Sequence, residues 1–230
     1  MKKTIITFVL IITVYSFSFA QNTSDFIFDE NGTITNYIGQ ETAIIIPEKI
    51  NNIQVTVIGE NAFEKKELTS VILPNGLISI DEFAFCENKL TSIIIPDSVI
   101  NIGIMAFAIN QLTSIVIPDS VTSMRQLAFA ENKLNNVVIG RGLRIIEGSV
   151  FYKNEITSIV LPPNIIQVND SSFARNVLTS ITVGNNVYFE GSYFNLEIDF
   201  FSHFYLMNGK RAGIYEHKNG KWTFTVLRNM

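Results

Sequence analysis

The sequence predicts a β-rich solenoid of stacked 22-residue coils, closed by a hairpin at one end and by antiparallel strands at the other. Three observations predict it. Leu68, Leu90, Leu112, Leu134, Ile156 and Leu178 fall in one column at a spacing of 22, and Phe63, Phe85, Phe107, Phe129, Phe151 and Phe173 fall in a second. Asn88, Asn110, Asn132, Asn154 and Asn176 form a third, three residues after each Phe and two before each Leu or Ile. Outside the columns, Asn-Gly pairs at 31–32, 208–209 and 219–220 mark tight turns near the two ends.

The first element, MKKTIITFVLIITVYSFSFAQ, reads as an export leader. Lys2 and Lys3 supply the positive region, an apolar run follows to about Phe19, and Ser18-Phe19-Ala20 forms the cleavage site. Thr and Ser interrupt the run, which is shorter than the 18 or more apolar residues of a spanning helix. Residues 1–20 are therefore expected to be removed, leaving no stable membrane span and a secreted or cell-surface protein. The rest is 21–62, an N-terminal cap and irregular first coil; 63–190, the regular repeats; and 191–230, a C-terminal cap. Of the 230 residues, 47% are hydrophobic and 17% charged, enough for a substantial core and unlike a solvated, disordered chain. Cys86 is the lone cysteine, so packing rather than an internal disulfide must hold the fold, and a packing role beside Phe85 is expected for the thiol.

Each regular unit follows one pattern. In LTSIIIPDSVINIGIMAFAINQ, beginning at Leu90, the side chains of Leu90, Ile93 and Ile95 share one side of a short strand, and Pro96-Asp97 ends it because Pro cannot donate to a ladder. The chain then returns through Val99, Ile102 and Phe107 in short 3-10 or irregular segments. Ordering 22 residues costs on the order of 22–44 kcal/mol, whereas burying six apolar side chains returns roughly 9–18 kcal/mol. One coil cannot fold alone; stacked coils can, each strand pairing with the next in a curved parallel sheet.

The run L-T-S-I/V-x-I/L-P-D/N-S-V-x-x-I followed by A-F-x-x-N-x-L, over about residues 25–190, resembles the BspA-like class of leucine-rich-repeat proteins of bacterial surfaces. The resemblance implies a leucine-rich-repeat solenoid, an N-terminal capping unit and an inward asparagine ladder. It also implies surface adhesion to host matrix proteins or to other microbes. The first unit departs from the period, since Pro47 to Pro74 spans 27 residues. The last is irregular too, with Val187 to Phe194 one residue short.

Eleven of the 26 aromatics lie between Tyr188 and Phe224. The two Asn-Gly pairs among them predict a three-stranded antiparallel β-meander. Its simplest role is a buried plug; the alternative is a glycan or envelope-polymer site using Trp222, Tyr215 and Tyr205. Residues 203–230 carry five Lys or Arg against one Glu, a charge of +4, while residues 21–202 carry ten against twenty, a charge of −10. A basic tail and an acidic array either balance internally or set the tail against an anionic envelope polymer. The acidic array argues against nucleic acid.

No catalytic constellation is visible. The two histidines, His203 and His217, lie in the tail, far from Cys86, and no G-x-S-x-G, H-E-x-x-H or phosphate loop occurs. Neither a metal nor a cofactor is expected: Asp97 and Asp119 recur at repeat spacing, but Asn75, Arg141, Pro163 and Asn185 stand at the matching positions. The Asn column is expected to satisfy buried backbone groups.

The candidate site is a face. If Leu90, Ile93 and Ile95 point inward, Ile94 points out, with Ile72, Val116, Val138, Val160 and Thr182 in its column. Five of these six are β-branched hydrocarbons where a solvated strand carries polar residues. At about 4.8 Å per strand the stripe runs about 24 Å and exposes roughly 300 Å² of apolar surface. Ser92 and Ser114 lie in the flanking column. The stripe is either a protein-binding surface of a monomer or the plain β-propensity of copied repeats.

Overall fold

The computed structural model describes residues 22–190 and 199–226. The proposed leader and Phe194 lie outside the described residues. The chain winds as a β-solenoid whose coils have two strand-bearing sides and a return corner. The long side carries three- to four-residue strands such as Ser114–Ile117, Asn136–Ile139, Ser158–Val160 and Ser180–Val183. Each pairs in parallel with its neighbour where both belong to the ladder, in a register of 22: Ser114 with Asn136, Ser158 with Ser180. The short side carries two-residue strands, from Val57–Ile58 through Ser79–Ile80, Asn101–Ile102 and Ser123–Met124 to Gln167–Val168 and Tyr188–Phe189. The long-side ladder is interrupted at Thr91–Pro96, yet the path is kept, with Ile93 and Ile95 buried and Ile94 turned out.

The third side is the corner between Phe and Asn. Two residues in each coil, four apart, have positive φ: Phe83 and Glu87, Met105 and Ile109, Leu127 and Glu131, Ser149 and Lys153, Ser171 and Arg175, with φ from 53° to 61°. This pinched corner turns each Phe inward and its amide along the solenoid axis. Phe85 N–H donates to Ala106 O and Phe107 N–H to Ala128 O, both at 2.8 Å. The rings of Phe63, Phe85, Phe107, Phe129, Phe151 and Phe173 stack with centroids 5.0–6.1 Å apart, and Tyr37 continues the stack 5.5 Å from Phe63.

Beside this stack runs the asparagine ladder. The Asn132 carboxamide oxygen accepts from Leu112 N–H at 3.0 Å, and its nitrogen faces the carbonyl oxygens of Phe107 at 2.9 Å and of Phe129 and Ala130 at 3.2 Å. One side chain thus satisfies backbone of its own coil and of the preceding one, a necessity where turns are buried. Asn88, Asn110, Asn154 and Asn176 repeat the pattern.

The ends follow different rules. Phe26–Phe28 and Thr33–Tyr37 form the antiparallel N-terminal hairpin around Asn31-Gly32 and cover the first short-side edge by pairing with Val57–Ile58. The five extra residues between Pro47 and Pro74 form a second small hairpin, Lys49–Ile50 with Ile53–Gln54, turning through Asn51 and Asn52 at φ 50° and 66°. The missing residue of the last coil falls between Val187 and Phe189: Tyr188 pairs with Gln167, 21 residues earlier.

The antiparallel C-terminal strands expected from the sequence form, but the last coil supplies one of the three. Among the described residues the tail forms two strands, Gly213–Lys218 and Lys221–Val226, around Asn219-Gly220, and the third antiparallel partner is the last long-side strand, Ser180–Val183. The first Asn-Gly pair instead ends helix α1, Asp199–Met207. Gly209, at φ 69°, donates to Leu206 O at 2.9 Å, and Lys210 N–H donates to Tyr205 O at 3.0 Å. These two bonds are the Schellman stop, for which a left-handed Gly serves as well as it serves a hairpin turn.

Two stability measurements test this account. Asn132→Ala leaves one buried N–H and several carbonyls without their partner and is expected to cost about 3 kcal/mol in urea denaturation. Ile109 holds a β-branched side chain in the left-handed region, so Ile109→Asn is expected to raise stability by about 1 kcal/mol and the thermal midpoint with it.

Candidate interaction face

The outward column of the long side is exposed in the structure: Ile72 56%, Ile94 78%, Val116 60%, Val138 49% and Val160 59%, with Thr182 half-buried. Ser92 and Ser114 lie exposed beside it. The stripe is longer than the 22-residue spacing shows. Ile45, 43% exposed, pairs in register with Ile72 and extends the stripe by one coil. The first-coil insertion hides Ile45 from a strict period, although the same 27-residue offset separates Pro47 from Pro74. At the other end Thr182 is in register with Ile214 and Ile214 with Thr225, so the column runs into the cap.

The face is not flat. A concavity of about 960 Å³ is lined by Val116, Val138 and Val160 together with Pro118, Pro162, Pro163 and Arg141. Gly140, in its lining, stands where the neighbouring coils have the strand-ending Pro118 and Pro162. A side chain there would run into the carbonyl oxygens of Pro118 and Ile117, so the backbone of this turn sits directly on the turn before it. Arg141 is fixed from both sides: its N–H donates to Asp119 Oδ1 at 2.7 Å and its carbonyl accepts from Asn164 Nδ2 at 2.7 Å. The Asp97 and Asp119 column is thus a turn column, in which Asp119 holds the next coil's backbone.

Tyr205, Tyr215 and Trp222 are not available for stacking on a sugar. All three are buried, and their rings pack around Phe201: Tyr215 edge-on at 5.4 Å, Trp222 at 5.1 Å and Tyr205 at 6.0 Å. Tyr205 Oη accepts from Val187 N–H at 3.1 Å and lies 2.7 Å from Gly184 O, tying the helix to the last coil. Burial raises both tyrosine pKa values. These residues form a hydrophobic plug.

Residues 39–154 and 78–198 match the BspA type leucine rich repeat region, in six copies. The chain belongs to this family. Solved structures of similar fold include a leucine-rich repeat protein from Bacteroides ovatus, with TM-score 0.58, 21% identity, and coverage of 74% of this chain and 55% of that one. A leucine rich cell surface protein from Faecalibacterium prausnitzii gives TM-score 0.53 and 22% identity, over 86% of this chain and 58% of that one. A T. pallidum leucine rich repeat protein gives TM-score 0.50 and 22% identity, over 74% and 85%. The BspA type chain therefore spans 55% and 58% of the lengths of the first two, and at these identities the likeness is one of fold. No curated protein matches the sequence.

Within this BspA type fold Cys86 sits where Ala108 and Ala130 stand in the next coils, and it is buried. Burial first, then the charges of Glu87 and Glu64, pushes its thiol from an ordinary 9.0 up to about 11. A raised acid pKa stabilises the folded state fully below the unfolded value, and that contribution disappears as pH rises through the folded value. Relative to Cys86→Ala, the wild-type protein is expected to lose stability between pH 9.0 and about 11 in thermal melts. Iodoacetamide at neutral pH is expected to label Cys86 only after unfolding.

Proposed function

We propose that this protein is exported and acts at the cell surface as a protein-binding module whose contact surface is the outward long side. The observation that carries the reading is the β-branched stripe from Ile72 to Val160, exposed on the outward sheet face and continued by Ile45 in register with Ile72. Solvated strand faces carry polar side chains, and contiguous exposed apolar patches of a few hundred Å² mark interaction surfaces. The concavity at Gly140 and Arg141 adds a recess in which a partner side chain would be enclosed, the setting in which contact energy concentrates. The F. prausnitzii structure of similar fold is called a cell surface protein, which agrees with the leader-like N-terminus. Partners of this kind are matrix proteins of a host or surface proteins of other microbes, met by a monomeric solenoid.

The test uses the protein lacking residues 1–20, immobilised and exposed to a panel of purified extracellular matrix and microbial surface proteins. Capture of at least one is expected, and Ile94→Glu with Val116→Glu is expected to abolish it while circular dichroism and melting stay unchanged. Capture that survives the double substitution places the contact elsewhere on the molecule.

A further inference from the structure

The last sheet of the long side leaves main-chain hydrogen-bonding groups open. Its strands run in the order Ser158–Val160, Ser180–Val183, Gly213–Lys218 and Lys221–Val226, so the last of these is an outer strand. His217 N–H donates to Thr179 O at 2.8 Å, which turns the main chain of Gly213, Tyr215 and His217 toward the solenoid and that of Ile214, Glu216 and Lys218 toward the hairpin partner. Those three are in register with Thr225, Thr223 and Lys221. Trp222, Phe224 and Val226 therefore aim their N–H and C=O groups away from the sheet, and none has a main-chain partner among the described residues. The same strand holds a further unmet donor, the buried indole N–H of Trp222. Native sheet edges are blunted by short strands, bulges, prolines or inward charges. The N-terminal edge obeys this rule, since Phe26–Phe28 has three residues and a register shift between Ile27 and Phe28. Lys221–Val226 does not: it has six residues in unbroken register, no proline, and its one charge on the exposed Lys221.

We propose that this edge takes up an extended, acidic segment of a partner protein as an added strand. Main-chain groups that recur at every second residue match an extended chain; in strand addition the backbone gives affinity and alternate side chains give selectivity. On one face the incoming side chains meet Trp222, Phe224 and Val226, the last 48% exposed, and β-branched residues pair well there. On the other face they meet Lys221, Thr223 and Thr225. Two cations flank the edge with no ion pair among the described residues: Lys221, and Arg211, whose guanidinium lies 5.7 Å from the centroid of the Phe224 ring. Glu216 is the one acid of the hairpin, and it is paired with Lys218 at 3.5 Å. The unmatched charge is positive, and carboxylates on the incoming strand complement it. A second copy would set one basic cap against another, each +4 over residues 203–230, which is why an acidic partner is favoured.

Trp222 is the only tryptophan, so its fluorescence reports strand addition in the protein lacking residues 1–20. The probe is the acetylated, amidated peptide Glu-Val-Thr-Val-Thr-Val-Glu. It is expected to bind below about 1 mM, at least about tenfold more tightly than the same peptide with Lys in place of Glu. N-methylation of its valines, whose amides face Trp222, Phe224 and Val226 in this pairing, is expected to weaken binding at least about tenfold, whereas N-methylation of its threonines is not. Val226→Pro deletes an outward donor and keeps the hairpin bonds, as an edge strand tolerates. It is expected to weaken binding about tenfold at an unchanged melting temperature. Ile94→Glu with Val116→Glu is expected to leave peptide binding intact, which separates this edge from the stripe. No binding up to about 1 mM, equal binding of the Lys peptide, or indifference to valine N-methylation overturns the proposal. So does dimerisation in analytical ultracentrifugation that Val226→Pro abolishes, which would assign the edge to a second copy.

Discussion

A turn buried on all sides must find partners for its backbone without water, and here that requirement falls on one carboxamide per coil. Asn is suited to it because one end of its amide accepts and the other donates twice, over a reach short enough to stay inside the turn. In Asn132 the oxygen and the nitrogen both bind the preceding coil, while the nitrogen also faces its own coil. The spacing of 22 residues, the stacked phenylalanines and the paired left-handed residues all follow from keeping that amide in place. A shift of one residue would carry the carboxamide out of the turn and expose the rings.

Because cohesion is concentrated in the corner and the interior, the long side is relieved of it. Its strands are short, its ladder is interrupted at Thr91–Pro96, and Ile72, Ile94, Val116, Val138 and Val160 turn exposed side chains outward. Changes there are tolerated by the architecture, which suits a surface that meets partners. Ion pairs between neighbouring coils, such as Lys65 with Glu87 at 3.2 Å and Lys153 with Glu131 at 2.7 Å, are exposed and add little.

The columns of Leu, Phe and Asn made the coil legible, because each position recurs in the same environment. The outward stripe was legible for the same reason, except at Ile45, where the five-residue hairpin through Asn51 and Asn52 broke the period. The helix was not read, since Asn208-Gly209 serves a hairpin and a helix stop alike. The stronger signal lay upstream: Phe201, Phe204 and Tyr205 recur at helical spacing, and Asp199–Met207 contains no β-branched residue. The left-handed corner was hidden because Met105, Ile109 and Leu127 occupy positions where Gly or Asn would have announced it. The break of the Pro-Asp column at Gly140 and Arg141 was visible in the sequence. The close approach of Pro118 that demands a glycine, and the recess it opens, belong to the third dimension.

The irregular ends acquire a meaning from the sameness of the middle. Ile93, Ile115 and Val137 are nearly interchangeable, so a strand displaced by a whole coil would find a neighbour almost as good as its own. Such a slip costs nothing inside the array and is charged only at its ends. There the Asn51-Asn52 hairpin fits the first coil alone, and Tyr205 seats on Gly184 of the last coil alone. The two caps therefore act as a ruler for the chain, fixing how many coils are counted before the solenoid is complete.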